Sequence, residues 1–141
     1  MSAVIDSFKG EHDWLSNFYN CPVHFEGLNF SNTEAAFQAA KTLNMEEREK
    51  FVGLSPLIAK RKGRRVELRS DWEAVKIEVM REVLRCKFSQ NPDLKAKLIA
   101  TGDAELIEGN NWNDTFWGVC RDKGRNHLGK LLMELRAELV D

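Results

Sequence analysis

Seven apolar residues, Trp72, Val75, Val79, Met80, Val83, Leu84 and Phe88, recur at mostly three- and four-residue intervals along "DWEAVKIEVMREVLRCKFS". That spacing puts them on one side of an α-helix. The stripe predicts a helix over about residues 71–89, the longest in the chain and the centre of its core. Asn91-Pro92 closes it and opens the next helix, because the residue before a proline is pushed out of the helical region while a proline suits a first turn. With 141 residues, 43% of them hydrophobic, the chain can cover such a helix as one globular domain without disulfides or metal staples. No low-complexity run, linker or internal repeat marks a second domain, so residues 1–141 are expected to form one.

Helix signals dominate the rest. Ser31 with Glu34 and Ser70 with Glu73 fit capping boxes, and Ser55-Pro56 places a cap before an N1 proline. Gly53, Gly63 and Gly102 stand where left-handed glycines end helices. A final helix over about 127–140 buries Leu128, Leu131, Leu132, Leu135 and Leu139 after a cap at Asn126. Strand signals are few. "VHFEGLNF" alternates around Glu26-Gly27 as a small hairpin, and residues 105–108 predict a short strand in the otherwise irregular "AELIEGNNWNDTFWGVCRDKGRN". The expected fold is mainly α: a single globular helical domain with a small N-terminal β-hairpin.

Composition narrows the function. Lys and Arg number 21 against 22 Asp and Glu, so a net charge of -1 gives no whole-molecule pull toward nucleic acid or anionic lipid, and any anion site must be local. Cys21, Cys86 and Cys120 are odd in number and far apart, which fits a reducing cytosol and no disulfide framework. The start "MSAVIDSFKGEHDW" lacks a basic region followed by an apolar one, and no stretch approaches the length of a membrane span. A soluble, unprocessed, cytoplasmic protein with no membrane partner is expected. Gly124, Gly129 and Lys130 imitate a phosphate-binding loop, but Leu131 stands where that loop needs a hydroxyl for magnesium. His12, His24 and His127 are scattered without ligand spacing, so no metal is expected. Cys120 reads as a small buried apolar residue.

Two stretches hold candidate chemistry. In "SNTEAAFQAAK", Glu34, Gln38 and Lys41 repeat at i, i+4 and i+7 and fall near one face of a helix whose other side is small and apolar. A polar stripe on a buried helix needs partners. In "KRKGRR", residues 60–65 with Arg69 beyond, the cations can collect a phosphate or pyrophosphate or form a solvated face. Each residue also has a plain reading: Glu34 bonding back to Ser31, Lys41 as a helix-end cation, Asp114 as a turn residue. Taken together, Glu34, Asp114, Lys41, Lys76, Trp72, Trp112 and Trp117 supply acid and base groups, an amine nucleophile and flat stacking faces.

"LSNFY", "FSNTEAAFQAAK", "LRSDWEAVKIEVMREVLRCKFSQN", "LIATGDAELIEGN" and "NDTFWGVCRDKGRNHLGKLLMELR" follow one another over about residues 8–139 in an order that resembles the NADAR family. The resemblance implies a mainly α-helical hydrolase that cuts the bond between a ribose carbon and a base nitrogen, with no cofactor. It places the family's acids on Glu34 and Asp114 and its tryptophan on Trp72. The amine falls on Lys41 or Lys76, with Lys41 first because it shares a helical face with Glu34. Substrate contacts are implied at Asn17, Phe18, Gln38, Trp72, Arg64, Arg65, Trp117, Gly118 and Asn126. Ala35-Ala36, where bulkier residues are common, and "WGVC", in place of a more glycine-rich loop, are departures that bear on substrate shape.

Breaking the C1′–N bond develops positive charge on the sugar and negative charge on the base, so a carboxylate beside the sugar and a proton donor beside the base both lower the barrier. Either an acid activates water, or a lysine attacks C1′ to give an imine that water hydrolyses. The leading expectation is removal of ADP-ribose from guanine, in a nucleotide or in DNA. The rival is cleavage of phosphoribosyl-pyrimidine intermediates of riboflavin synthesis. From other classes come a non-catalytic reader of ADP-ribose or a nucleotide, and a helical interaction domain. A base inside duplex DNA must be extruded and its backbone held by several cations, which a neutral chain with one basic cluster does poorly.

Overall fold

A computed structural model describes residues 3–140, which gather into two compact units, one of residues 17–91 and one of residues 3–16 with 92–140. The chain is mainly α-helical, as expected, and its strands are short.

The central unit, residues 17–91, opens with β2 (Asn20–Phe25) antiparallel to β3 (Leu28–Asn32). Glu26 and Gly27 turn the chain with φ of 47° and 87°, the two positive values that a tight hairpin of this hand requires. Alternation points Cys21, Val23 and Phe25 inward. The extended backbone then runs into α1 (Thr33–Ala39), every residue of which is buried. Here the capping box expected at Ser31 is corrected: Ser31 is still strand, and Asn32 caps the helix by accepting from the Ala35 N–H at 2.8 Å. The same Asn32 donates to the Leu54 carbonyl at 2.9 Å, so a single side chain fixes both the helix start and a neighbouring loop.

Asn44 caps the short α2 (Met45–Glu49), and Ser55 caps α3 (Pro56–Gly63), as its Ser-Pro pair predicts. The long α4 (Trp72–Gln90) ends at Asn91-Pro92, as expected, and packs on β2 and α1. Met80, Val83, Leu84 and Phe88 are buried while Val75 and Val79 are half-buried. Burying each large side chain contributes about 1.5–3 kcal/mol at most. The second expected capping box is also corrected. Asp71, not Ser70, holds the N-cap position and makes no cap bond, because its carboxylate is taken by the Arg69 guanidinium at 2.6 and 3.1 Å.

The second unit pairs β1 (Val4–Ile5) in parallel with β4 (Glu105–Leu106), and β5 (Gly109–Asn110) in parallel with β6 (Val119–Cys120). A 3-10 helix spans Gly10–Leu15, α5 runs over Pro92–Ala100 and α6 over His127–Leu139. The leucine stripe of α6 is buried from Leu128 to Leu135, with Leu139 half-buried. Gly53 and Gly102 do turn with positive φ, but Gly63 does not and lies inside α3. No helix among the described residues is long and apolar enough to cross a membrane.

Candidate active site

The polar stripe of α1 is real and it is buried. Glu34 is 8% exposed and Gln38 5%, and the Gln38 Nε2 donates to the Glu34 Oε2 at 2.6 Å. The Glu34 backbone N–H donates to the Asn17 carbonyl at 3.0 Å, so the "LSNFY" segment is tied to the first turn of the helix. The Asn17 Nδ2 reaches the Met80 sulfur at 3.5 Å. The side-chain oxygens Asn17 Oδ1, Thr33 Oγ1 and Gln38 Oε1 are buried and accept no hydrogen bond among the described residues.

Lys41 stands just past the end of α1 rather than on it: its N–H donates to the Gln38 carbonyl at 3.1 Å and its own carbonyl accepts from the Arg69 N–H at 2.8 Å. The side chain is half-buried, and its amine makes no hydrogen bond or ion pair among the described residues. Burial holds its pKa below the ordinary lysine value; Glu34 opposes that shift, while the cations Arg64, Lys60 and Lys76 reinforce it. One amine therefore feels the carboxylate of α1, two cations of the α3 region and one of α4. Lys76 is engaged at 2.7 Å by Glu73, its neighbour one turn back on α4. That pairing occupies the Lys76 amine, whereas Lys41 has no such partner among the described residues.

Of the basic run, Lys60, on α3, and Arg64, the residue just past it, are the members that act on Lys41. Arg65 is exposed and does not figure among the charges acting on Lys41. The Lys60 amine also lies 5.8 Å from the Phe18 ring centroid, and Phe18 is 42% exposed. Phe18 is thus an exposed aromatic ring beside a cation in this unit. Trp72, by contrast, is 5% exposed and tilted against Phe37 with ring centroids 5.1 Å apart, a wall behind α1.

Asp114, Trp117, Gly118 and Asn126 belong to the other unit. The Asp114 Oδ1 accepts from the Phe116 and Trp117 N–H groups at 3.1 and 2.9 Å, shaping its own loop. Trp117 packs edge-on against Phe116 at 4.8 Å. Gly118 is required by contact, since a Cβ there would come within 1.7 Å of the Glu108 carboxylate. Asn126 does precede α6, but the expected cap is corrected: its side chain bridges the Leu106 carbonyl (2.9 Å) and the Glu108 N–H (3.0 Å), joining the start of α6 to the end of β4. The false phosphate loop has a packing explanation too, because a Cβ on Gly129 would strike the Leu106 carbonyl and the Asn126 side chain.

Sequence reasoning missed two residues. Gly63 faces Gln38 so closely that a Cβ would lie 1.9 Å from the Oε1, and nothing along the chain pairs positions 38 and 63. Arg69 reads as one more member of the basic run, yet it ties the Lys41 backbone to the start of α4.

The sequence profile of the NADAR domain matches residues 6–140. The chain is 42% identical over 143 residues to the N-glycosidase YbiA of Escherichia coli (strain K12), covering 97% of this chain and 89% of that protein. The NMR structure of the E. coli protein YbiA matches with a TM-score of 0.87 at 41% identity, covering 99% of this chain and 87% of that one. The riboflavin biosynthesis protein VVA0006 of Vibrio vulnificus (strain YJ016) is 39% identical over 134 residues, 92% of this chain and 36% of that longer protein.

Proposed function

This chain belongs to the NADAR domain family and is an N-glycosidase like its near full-length relatives, and we propose that it cuts the bond between C1′ of a phosphorylated ribose and a base nitrogen, with Glu34 and Lys41 as its reacting groups. One family domain of 141 residues carries the activity. The observation behind this reading is Lys41 itself: a half-buried amine, held below the ordinary lysine value by burial and by three cations, within electrostatic reach of the buried Glu34.

A lowered pKa leaves more of the amine neutral near pH 7, which is the nucleophilic form. The Lys41 amine attacks C1′, the C1′–N pair leaves with the base, and the two amine protons pass to the base nitrogen and the opened ring oxygen. Glu34 carries a proton between them. Water then adds to the imine carbon, the amine leaves, and Lys41 is restored as the free sugar closes. The negative charge of Glu34 also steadies the positive charge that develops at C1′. Lys60 and Arg64 supply the local anion site that the neutral chain requires, and Phe18 offers the stacking face.

Two substrates fit this chemistry. ADP-ribosylated guanine presents a pyrophosphate to the cations. A phosphoribosyl-pyrimidine presents one phosphate, and it is favoured by the relative named as a riboflavin biosynthesis protein. Base release is to be followed with both substrates on one preparation. Turnover of either supports the reading, and their ratio ranks them. No turnover of either by a folded protein that binds them would leave the non-catalytic reader as the better account. If the guanine is in DNA, turnover falls steeply with added salt; a flat response points to a small molecule.

A further inference from the structure

Gly63 is a glycine that backbone conformation does not explain. Gly53 and Gly102 have φ of 81° and 64° and open space around them, so their glycines answer to the turn. Gly63 has no such φ and sits in the last turn of α3, where an alanine is the better helix former. What excludes a side chain there is contact. A Cβ would lie 1.9 Å from the Gln38 Oε1, 2.7 Å from its Cδ and 3.2 Å from its Cβ.

The Gln38 carboxamide has two ends with different prospects. Its Nε2 donates to the buried Glu34 Oε2 at 2.6 Å, while its Oε1, pressed toward Gly63, accepts no hydrogen bond among the described residues. Turning the amide over would set oxygen lone pairs against the Glu34 carboxylate, so the donor is held toward Glu34 at the cost of an unsatisfied acceptor. With Gln38 only 5% exposed, the group has no open side to swing into. A donor held on one carboxylate oxygen fixes the orientation of the group.

We propose that Gly63 is a positioning residue of the reaction: the room left by its missing side chain lets the Gln38 carboxamide lie where it orients Glu34. This rests on the reading of Glu34 as a reacting group. Gly63 touches no reacting atom and acts through Gln38.

The test is a double-mutant cycle of Gly63→Ala and Gln38→Ala, with kcat and KM measured separately on whichever ribosyl-base substrate the protein turns over. Gly63→Ala is expected to lower kcat by about 10- to 100-fold with KM changed by less than about threefold, because a small displacement of a catalytic group is felt mainly in the chemical step. Gln38→Ala does the same. The double variant is no worse than Gln38→Ala alone, because the shortened side chain vacates the space the new methyl fills. Should Gly63→Ala fail to fold, the same logic requires the double variant to fold and to match Gln38→Ala. A Gly63→Ala protein with the wild-type kcat, or losses that multiply in the double variant, overturns the proposal. Glu34→Gln separates the two readings: full turnover in that variant removes Glu34 from the reaction whatever Gly63 does, whereas loss of turnover there with an unaffected Gly63→Ala removes only the role of Gly63.

Discussion

Arg69 is bound to Lys41 through the main chain: its N–H donates to the Lys41 carbonyl at 2.8 Å, and its guanidinium reaches both the Ala40 carbonyl at 3.4 Å and the Asp71 carboxylate at 2.6 Å. A cation at the C-terminal end of α1 satisfies carbonyls that the helix leaves open, and by holding Asp71 it joins that end to the start of α4. The segment that carries the candidate nucleophile is thus clamped between two helices. Arg69→Ala is expected to lower the urea midpoint and to reduce kcat by about tenfold through looser placement of Lys41. Arg69→Lys keeps the charge but loses the two-pronged grip on Asp71, and should recover stability more than turnover. Equilibrium unfolding and steady-state kinetics on the two variants check this; equal kcat in all three proteins refutes the clamp.

Lys41 forms the imine if the lysine route operates. Borohydride reduction during turnover should fix the sugar to the protein, and peptide mapping should find it on Lys41, not on Lys76, whose amine is held at 2.7 Å by Glu73. Lys41→Arg keeps the charge without a nucleophilic amine and should lose at least about 100-fold in kcat, the lower end of what such a group contributes. Full turnover in Lys41→Arg would move the mechanism to water activated by an acid.

The pKa of Lys41 can be read directly by competitive acetylation against pH, and the sign of each neighbour is fixed. Burial, the largest cause, and the cations Arg64, Lys60 and Lys76 lower it from the ordinary 10.5, while Glu34 raises it. A lowered value means that Lys41 becomes reactive at lower pH than exposed lysines do. Removing a cation, as in Lys60→Met or Arg64→Leu, moves the titration up toward 10.5; Glu34→Gln moves it further down. The opposite directions for the two kinds of variant are the check, and they do not depend on any substrate. A shift of the same sign in both would separate Lys41 from this cluster.

How far the sequence revealed this arrangement varies by the kind of signal. Periodic burial was legible: α4 and α6 follow from their stripes, and the hairpin from Glu26-Gly27. Local chemistry that depends on one residue's backbone was less so. Ser31 and Ser70 each lie one residue before the helix start: Asn32 caps α1 and is held by the distant Leu54 carbonyl, while Asp71 at the start of α4 is bonded to Arg69 and makes no cap bond. The stripe of Glu34 and Gln38 was legible as spacing, but α1 ends at Ala39, so Lys41 is placed by Arg69 and not by helical period. Gly63 and Asn126 escaped because their reasons lie 25 and 18 or more residues away, in Gln38 and in the strand end at Leu106 and Glu108. Trp72 packs against Phe37 and is buried, whereas Phe18 is an exposed ring.

Asp114 calls for substitutions that separate shape from charge. Its Oδ1 accepts two backbone N–H groups, from Phe116 and Trp117, and the Asn110 side chain accepts from the Asp114 N–H at 3.1 Å and donates to its carbonyl at 2.9 Å. Asparagine at position 114 keeps an oxygen for both N–H groups and loses only the negative charge. Alanine loses the oxygen, leaving the two donors to water or unsatisfied, at about 1 kcal/mol by analogy with a lost helix cap. Asp114→Asn is therefore expected to unfold within about 0.5 kcal/mol of the wild type and Asp114→Ala about 1 kcal/mol earlier, as urea titrations monitored by tryptophan fluorescence would report. Equal destabilisation by both variants would mean that the charge, rather than the acceptor, holds the loop around Trp117.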